Sequence, residues 1–337
     1  MGRHVNIPIF IPHLGCPNKC VFCNQKIISG VVEFAPDDVD KIIREALTTI
    51  EEDAYCEIAF FGGSFTGIDT QLMIELLKTA NKYLKQGRIQ SIRLSTRPDY
   101  ISIEILEILK SYGVTVIELG LQSSSDRILQ LSSRGHDHIC EEKACKMITD
   151  FGFSLVGQMM IGLPGSTLDD EIATAEFICR MGAPYARIYP TVVFSDTELY
   201  YMTKSGIYLP LTIEEAVYRS AEVYKIFASN GVKVIRVGLC SSENLLSDST
   251  YFAGPNHPAL GELVINKLFY DNIKLALAQL NDYKNSIPTV FVPKGALSKA
   301  IGQRGSNKKK LIMEFELSDL LFVENDRLEE FDIRISI

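Results

Sequence analysis

The chain has 337 residues, 46% of them hydrophobic and 23% charged, with a net charge of −8. This length suits one large domain plus a small one, the charge excludes a surface that binds nucleic acid everywhere, and no apolar run reaches the ~20 residues of a membrane span. Eight cysteines without a secretion signal point to a reducing, cytoplasmic setting, where clustered thiols more often bind metal than form disulfides.

In chain order, the opening run VNIPIFI reads as a strand, since Pro8, Pro12 and His13 interrupt it and no small-residue cleavage site follows. Six more short, β-branched runs have the look of buried strands: CEIAFFGG, IRLST, VTVIELG, SLVGQMMIGLP, ARIYPTVV and VKVIRVG. Between most of them lie helical patterns, among them PDDVDKIIREALTTIEED, DTQLMIELLKTANKYLKQ, SIEILEILKSYG, CEEKACKMITDFG and IEEAVYRSAEVYKIFASNG. Several end on a glycine (Gly113, Gly152, Gly231), as left-handed caps do. Strands alternating with helices imply right-handed crossovers and a parallel sheet. The expected fold is therefore α/β, a partial or full parallel (β/α) barrel over residues 1–240, with a helix-rich connection at 241–285 and a small α+β domain at 286–337.

In such a barrel the chemistry sits in loops after the strand C-termini. The first of these loops carries Cys16, Cys20 and Cys23 with the spacing C-x3-C-x2-C. Three thiolates so placed can hold three irons of a [4Fe–4S] cluster and leave the fourth iron open. A zinc site with His13 as fourth ligand is the competing reading. The second loop carries Gly62-Gly63-Ser64, where backbone amides and carbonyls can meet a ligand with an ammonium or carboxylate group. A glycine pair beside a three-cysteine loop favours an amino-acid-like ligand bridging the two. The remaining cysteines (Cys56, Cys140, Cys145, Cys179, Cys240) are scattered and read as small buried hydrophobes.

With those two loops, the chain resembles the radical S-adenosylmethionine (SAM) enzymes. More narrowly, FFGGSFTGID, STRPDYI, VIELGLQSSSDRIL, SSRGHD, GLPGST and RIYPTVVFSDTELY resemble the Elongator catalytic-subunit family; the oxygen-independent coproporphyrinogen oxidases are more distant relatives. The resemblance implies a [4Fe–4S] cluster on Cys16, Cys20 and Cys23 whose open iron chelates SAM. A reductant such as ferredoxin or flavodoxin would then drive cleavage to a 5′-deoxyadenosyl radical. It further implies Phe22 beside the adenine, Gly62, Gly63 and Ser64 on the methionine amine, and Gln122, Arg134 and Gln158 as polar SAM contacts. Ser95 stands where relatives often have a glutamate. The acetyltransferase domain of the Elongator subunits has no counterpart in these 337 residues, so acetyl transfer is not expected of this chain. No catalytic residue on the substrate side is assigned; Tyr185, Tyr189 and Cys240 are eligible by type.

Residues 286–313 hold six cations (Lys294, Lys299, Arg304, Lys308, Lys309, Lys310) and no acid. TVFVPKGALSKAIGQRGSNKKKLIMEFEL reads as strand, short helix, glycine loop and second helix, and resembles a K homology RNA-binding module. Its GXXG loop would be Gly302-Gln303-Arg304-Gly305, with Lys299, Arg304 and Lys308 supplying charge to a phosphate backbone. The expected activity is radical SAM modification of tRNA or rRNA. A radical SAM oxidoreductase acting on a small molecule or tetrapyrrole, and an RNA-binding assembly factor with a vestigial cluster, are the alternatives.

Overall fold

The computed structural model describes residues 4–11, 14–16, 20–24, 34–51, 53–239, 250–280 and 283–337. His13 and Cys240, singled out above, lie outside the described residues. The chain divides into two compact units, Met1–Thr212 with Ile226–Asn256, and Ile213–Lys225 with His257–Ile337.

The first unit alternates β1 (His4–Ile11), α1 (Asp38–Leu47), β2 (Tyr55–Gly62), α2 (Thr70–Lys85), β3 (Ser91–Thr96), α3 (Ile103–Ser111), β4 (Val114–Gln122), α4 (Asp126–Leu131), α5 (His138–Asp150), β5 (Ser154–Ile161), α6 (Leu168–Arg180) and β6 (Tyr185–Pro190). β7 (Val193–Phe194), α7 (Glu198–Lys204), α8 (Ile213–Ser229), β8 (Lys233–Val237) and β9 (Tyr251–Ala253) follow, α8 being shared with the second unit. Seven strands form one sheet in the order β1-β2-β3-β4-β5-β6-β8, every pair parallel. It is a half-barrel, the partial form of the expected architecture. ARIYPTVV is not one strand. β6 ends at Pro190, the Thr191 N–H closes onto the Ile161 carbonyl at 2.8 Å, and β7 leaves the sheet to pair antiparallel with β9.

Local chemistry sets these elements. β2 buries its middle residues on both faces, as a strand covered by crossover helices must. α2 places Met73, Leu76, Leu77 and Ala80 on one buried stripe. Asp69 caps it by accepting from the Gln71 and Leu72 N–H groups; Ser102, Asp137 and Thr167 cap α3, α5 and α6 in the same way. No helix among the described residues is long and apolar enough to cross a membrane.

The second unit packs α9 (Leu260–Ala278), β10 (Thr289–Pro293), α10 (Leu297–Ile301), α11 (Ser306–Glu314), β11 (Leu321–Asn325) and β12 (Arg334–Ser336). Its sheet has the order β11-β10-β12, with β11 parallel and β12 antiparallel to β10. Phe269, Ile273 and Leu277 of α9, Val290 and Val292 of β10, and Leu311 of α11 share one core. The acid-rich segment after residue 313 supplies β11 and β12, and its Asp319 pairs with Lys308 at 2.8 Å.

Candidate functional site

The cysteine loop follows β1 and is tied to two later parts of the rim. The Val21 N–H donates to the Ser132 carbonyl at 3.2 Å, and the Val21 carbonyl accepts from Leu199 N–H at the start of α7, at 2.8 Å. Cys23 N–H closes a turn onto the Cys20 carbonyl at 3.0 Å. Cys20 is buried, whereas Cys16 and Cys23 are partly open.

Two buried guanidinium groups reach the Cys20 sulfur. Arg134 Nη1 donates to it at 3.3 Å and Arg97 Nη1 at 3.7 Å. Arg97 is itself gripped by Asp99 through Nε–Oδ1 at 2.9 Å and Nη2–Oδ2 at 3.0 Å, and it also donates to the Arg134 carbonyl. Burial alone would raise the Asp99 carboxyl, but hydrogen bonds from His136 and Arg97 hold it far below the usual carboxylate range. Burial works against the Arg97 cation, yet Asp99 and the nearby cysteines hold its pKa above the ordinary value. His136 is anchored from behind by Glu141, Nε2 to Oε1 at 3.1 Å. The outcome is two fixed positive charges on one sulfur, an arrangement that suits a metal ligand.

The glycine loop packs directly against this segment. A Cβ on Gly63 would stand 2.4 Å from the Leu14 carbonyl oxygen, and one on Gly15 would stand 2.3 Å from the Ser64 carbonyl oxygen. The two loops thus meet backbone to backbone, so glycine is required there by the neighbouring loop whether or not a ligand approaches. Ser64 is buried; its hydroxyl shares a 2.8 Å hydrogen bond with Thr96 Oγ1 and accepts from Arg97 N–H at 3.3 Å. Its side chain therefore locks the glycine loop to the end of β3.

A cavity of about 1720 Å³ opens inside the half-barrel. Phe22, Cys23, Gly62, Ser95, Gln122 and Gln158, six of the residues expected from sequence to bind metal or cofactor, line it together. Cys20, Ser64 and Arg134 are buried and support that wall. Gln122 has left-handed backbone, φ 75°, and among the described residues its buried Oε1 accepts no hydrogen bond, an exception that calls for a partner.

The floor of the cavity holds a charge network not anticipated from sequence. Arg93 bridges Glu57 and Glu118, with Nε to Glu57 Oε2 at 3.0 Å and Nη1 to Glu118 Oε1 at 2.9 Å. Arg187 Nη2 donates to Glu118 Oε1 at 2.7 Å, and Gln158 Nε2 donates to Glu118 Oε2 at 2.8 Å. Gln158, expected as a SAM contact, is thereby tied to Glu118 by its amide N–H. Burial pushes the Tyr189 phenol up despite the Arg187 charge beside it, so it stays protonated. A signal was available: IRLST, VIELG and ARIYP each set an ionisable residue inside a buried strand, which such residues tolerate only when paired.

In the second unit, Gly302 and Gly305 take φ 80° and 74°, and Arg304 between them takes φ 52°. A Cβ on Gly302 would lie 2.6 Å from Ser306 Oγ and 2.9 Å from Asn307 N. Asn307 holds the loop from inside, its Nδ2 donating to the Asn266 and Ala300 carbonyls at 2.7 and 3.1 Å. Lys299, Gln303 and Arg304 are exposed. Lys308, expected to offer free charge, is half-buried in its ion pair with Asp319, whereas Lys309 and Lys310 are exposed.

Comparison with known proteins agrees with this geometry. The Radical SAM superfamily profile matches residues 10–178, and that of the radical SAM C-terminal domain matches residues 184–269. An uncharacterized protein of Methanocaldococcus jannaschii is 30% identical over 225 residues, 64% of this chain and 68% of that one. The tRNA uridine(34) acetyltransferase of Methanocaldococcus infernus is 36% identical over 137 residues, 39% of this chain but only 25% of that protein. Among solved structures, the M. infernus Elp3 with an N-terminal deletion superposes with a TM-score of 0.63 at 22% identity, covering 80% of this chain and 63% of that one. SuiB of Streptococcus suis bound to S-adenosylmethionine gives 0.52 at 13%, covering 75% and 54%.

A [4Fe–4S] cluster and SAM suit the groups present. Cys16, Cys20 and Cys23 are free thiols, and a cluster takes one thiolate on each of three irons. The guanidinium-backed Cys20 and the buried Gln122 oxygen supply a sulfur ligand and a polar contact for such a pair. With the half-barrel, the three-cysteine loop and a profile spanning half its length, the chain belongs to the radical SAM superfamily, whose members use a [4Fe–4S] cluster and SAM.

Proposed function

We propose that this radical SAM enzyme modifies RNA, a tRNA or rRNA, and that the basic GXXG module binds the substrate backbone. The observation that carries the RNA reading is the module itself. Gly302 and Gly305 hold positive-φ backbone at the head of α11, with Lys299, Arg304, Lys309 and Lys310 exposed around them. Amides at a helix start plus exposed cations fit phosphate, and glycine lets the backbone come close. The tRNA uridine(34) acetyltransferase relatives favour tRNA.

In this reading Cys16, Cys20 and Cys23 ligate the cluster, and the bound cofactors supply hydrogen-atom abstraction. The protein's own part is to hold and exclude. Arg97 and Arg134 fix the Cys20 side and offset its negative charge. Phe22 walls the cavity, while Ser95, Gln122 and Gln158 offer polar contacts from three neighbouring strands. The Ser64–Thr96–Thr66 hydroxyl chain, with contacts of 2.8 and 2.6 Å, keeps the glycine loop on the end of β3. A base must leave its stack to reach such a cavity, which favours a loop or single-stranded nucleotide. The setting is cytoplasmic, with ferredoxin or flavodoxin as reductant.

The test is anaerobic reconstitution with iron and sulfide, then dithionite and SAM, following 5′-deoxyadenosine. Wild type is expected to form it and Cys20→Ala is not. Total RNA is expected to be bound in a salt-sensitive way that Arg304→Glu abolishes. Deoxyadenosine without any RNA binding would move the assignment to a small-molecule or tetrapyrrole substrate.

A further inference from the structure

Beside the cysteine loop, the end of the half-barrel carries a cluster of open aromatic rings. β7 and β9 form a two-stranded ribbon, and α7 packs against it. Tyr200 of α7 meets Phe252 of β9 edge to face, centroids 4.7 Å apart at 80°, and meets Tyr201 at 5.1 Å and 75°. Lys204, one turn on, donates to the Tyr200 hydroxyl at 3.1 Å and lies 5.0 Å from its ring centroid. Tyr201 is 56% and Phe252 42% exposed. Together these rings make an apolar surface fixed in orientation, with a cation at its edge.

Its location follows from what it is built on. Tyr200 packs with Phe22 on the small core of Val21, Val193 and Leu199. Phe22 lines the cavity, as does Phe194 of β7. The rings therefore stand on the outer side of residues that form the cavity wall.

We propose that Tyr200, Tyr201, Phe252 and Lys204 form a stacking platform for an unpaired nucleotide adjacent to the one whose base enters the cavity. This rests on the RNA reading above and deepens it. A nucleotide pairs a π face with a phosphate; the platform pairs rings with an ammonium that has donors left after bonding Tyr200. An apolar peptide would match the rings and leave the Lys204 charge unanswered. The acid of the same helix, Glu198, stands at the opposite end of α7 from Lys204. Base–aromatic stacking tolerates any sequence because every base has a π face.

The experiment uses the full chain, reconstituted with its cluster under anaerobic conditions, and a short unstructured RNA carrying 2-aminopurine, whose fluorescence is quenched when it stacks on a ring. Wild type is expected to bind and quench. Tyr201→Ala and Phe252→Ala are expected to bind about 5- to 150-fold more weakly and to lose the quench, while Tyr201→Phe retains both. Lys204→Ala is expected to lower the slope of log affinity against log salt by about 0.7. The platform is overturned if both alanine variants bind and quench like wild type while Arg304→Glu weakens binding; the RNA reading then survives alone. If wild type binds no RNA at all, the RNA reading falls and the platform falls with it.

Discussion

Glu118→Gln tests whether the charge network on the cavity floor is what keeps the half-barrel rigid there. Glu118 is 0% exposed and accepts from Arg93, Arg187 and Gln158 at 2.9, 2.7 and 2.8 Å. The glutamine has nearly the same shape but no charge, and its amide turns one acceptor into a donor facing donors. Arg187 would then lose its carboxylate partner, and Arg93 would keep only Glu57, which also lies 3.0 Å from His4 Nε2. Removing one partner of a buried pair costs about 3–5 kcal/mol, because the charge left behind is uncompensated. The chain has two compact units, so a single unfolding midpoint is ill-defined; amide hydrogen exchange of β3, β4 and β5 is the better measure. At 1.36 kcal/mol per factor of ten, protection there should fall by about 150- to 5000-fold. Gln158→Leu, which removes a neutral partner, sets the scale at about 1 kcal/mol. A fall of less than about tenfold in Glu118→Gln would refute the reasoning, since the network would then be slack or already hydrated.

Four further outcomes are expected. Gly63→Ala puts a Cβ 2.4 Å from the Leu14 carbonyl oxygen; prying the two loops apart should cost about 1–3 kcal/mol and lower iron retained per chain after reconstitution, and full iron loading would count against the loop packing. Asn307→Ala leaves the Asn266 and Ala300 carbonyls without their shared donor; about 1–3 kcal/mol should be lost from amide protection in α10 and α11, with β2 to β5 unchanged. Hydrogen bonds from Tyr83, then Lys82, hold the Asp40 carboxyl below its ordinary value. Its contribution is therefore present above the unfolded value of about 3.9 and lost as pH falls through the folded one. Tyr83→Phe should lose stability relative to wild type above about pH 4, with the gap closing at lower pH; a gap constant down to acid pH would remove Asp40 from the account. The Tyr83 phenol, pushed up to about 12 by burial and by Asp40, should be missing from the tyrosines that titrate near pH 10.

Much of the fold was legible because its signals are local. Strand runs such as CEIAFFGG and IRLST and the capped helices between them depend on neighbours a few residues away. The repeated strand–helix alternation then leaves a parallel sheet as the compact solution. The candidate site was legible as a set of loops for a related reason: in a parallel half-barrel all strand C-termini share one rim, so Cys16, Gly62, Ser95 and Gln122 had to lie near one another. The β7–β9 ribbon was missed because β7 is only two residues long and its partner lies far along the chain.

The sequence by itself determined the order of the strands, the class of the sheet, the thiol spacing and the GXXG loop, all properties of contiguous residues. Only the tertiary structure decided which side chains meet. Arg97 and Arg134 lie 77 and 114 residues from Cys20, yet both donate to its sulfur. Gly63 proved to be needed by the Leu14 backbone, and Lys308 proved to be paired with Asp319. Contacts of this kind depend on how crossovers bring strand ends together, and no periodicity in the chain encodes that distance.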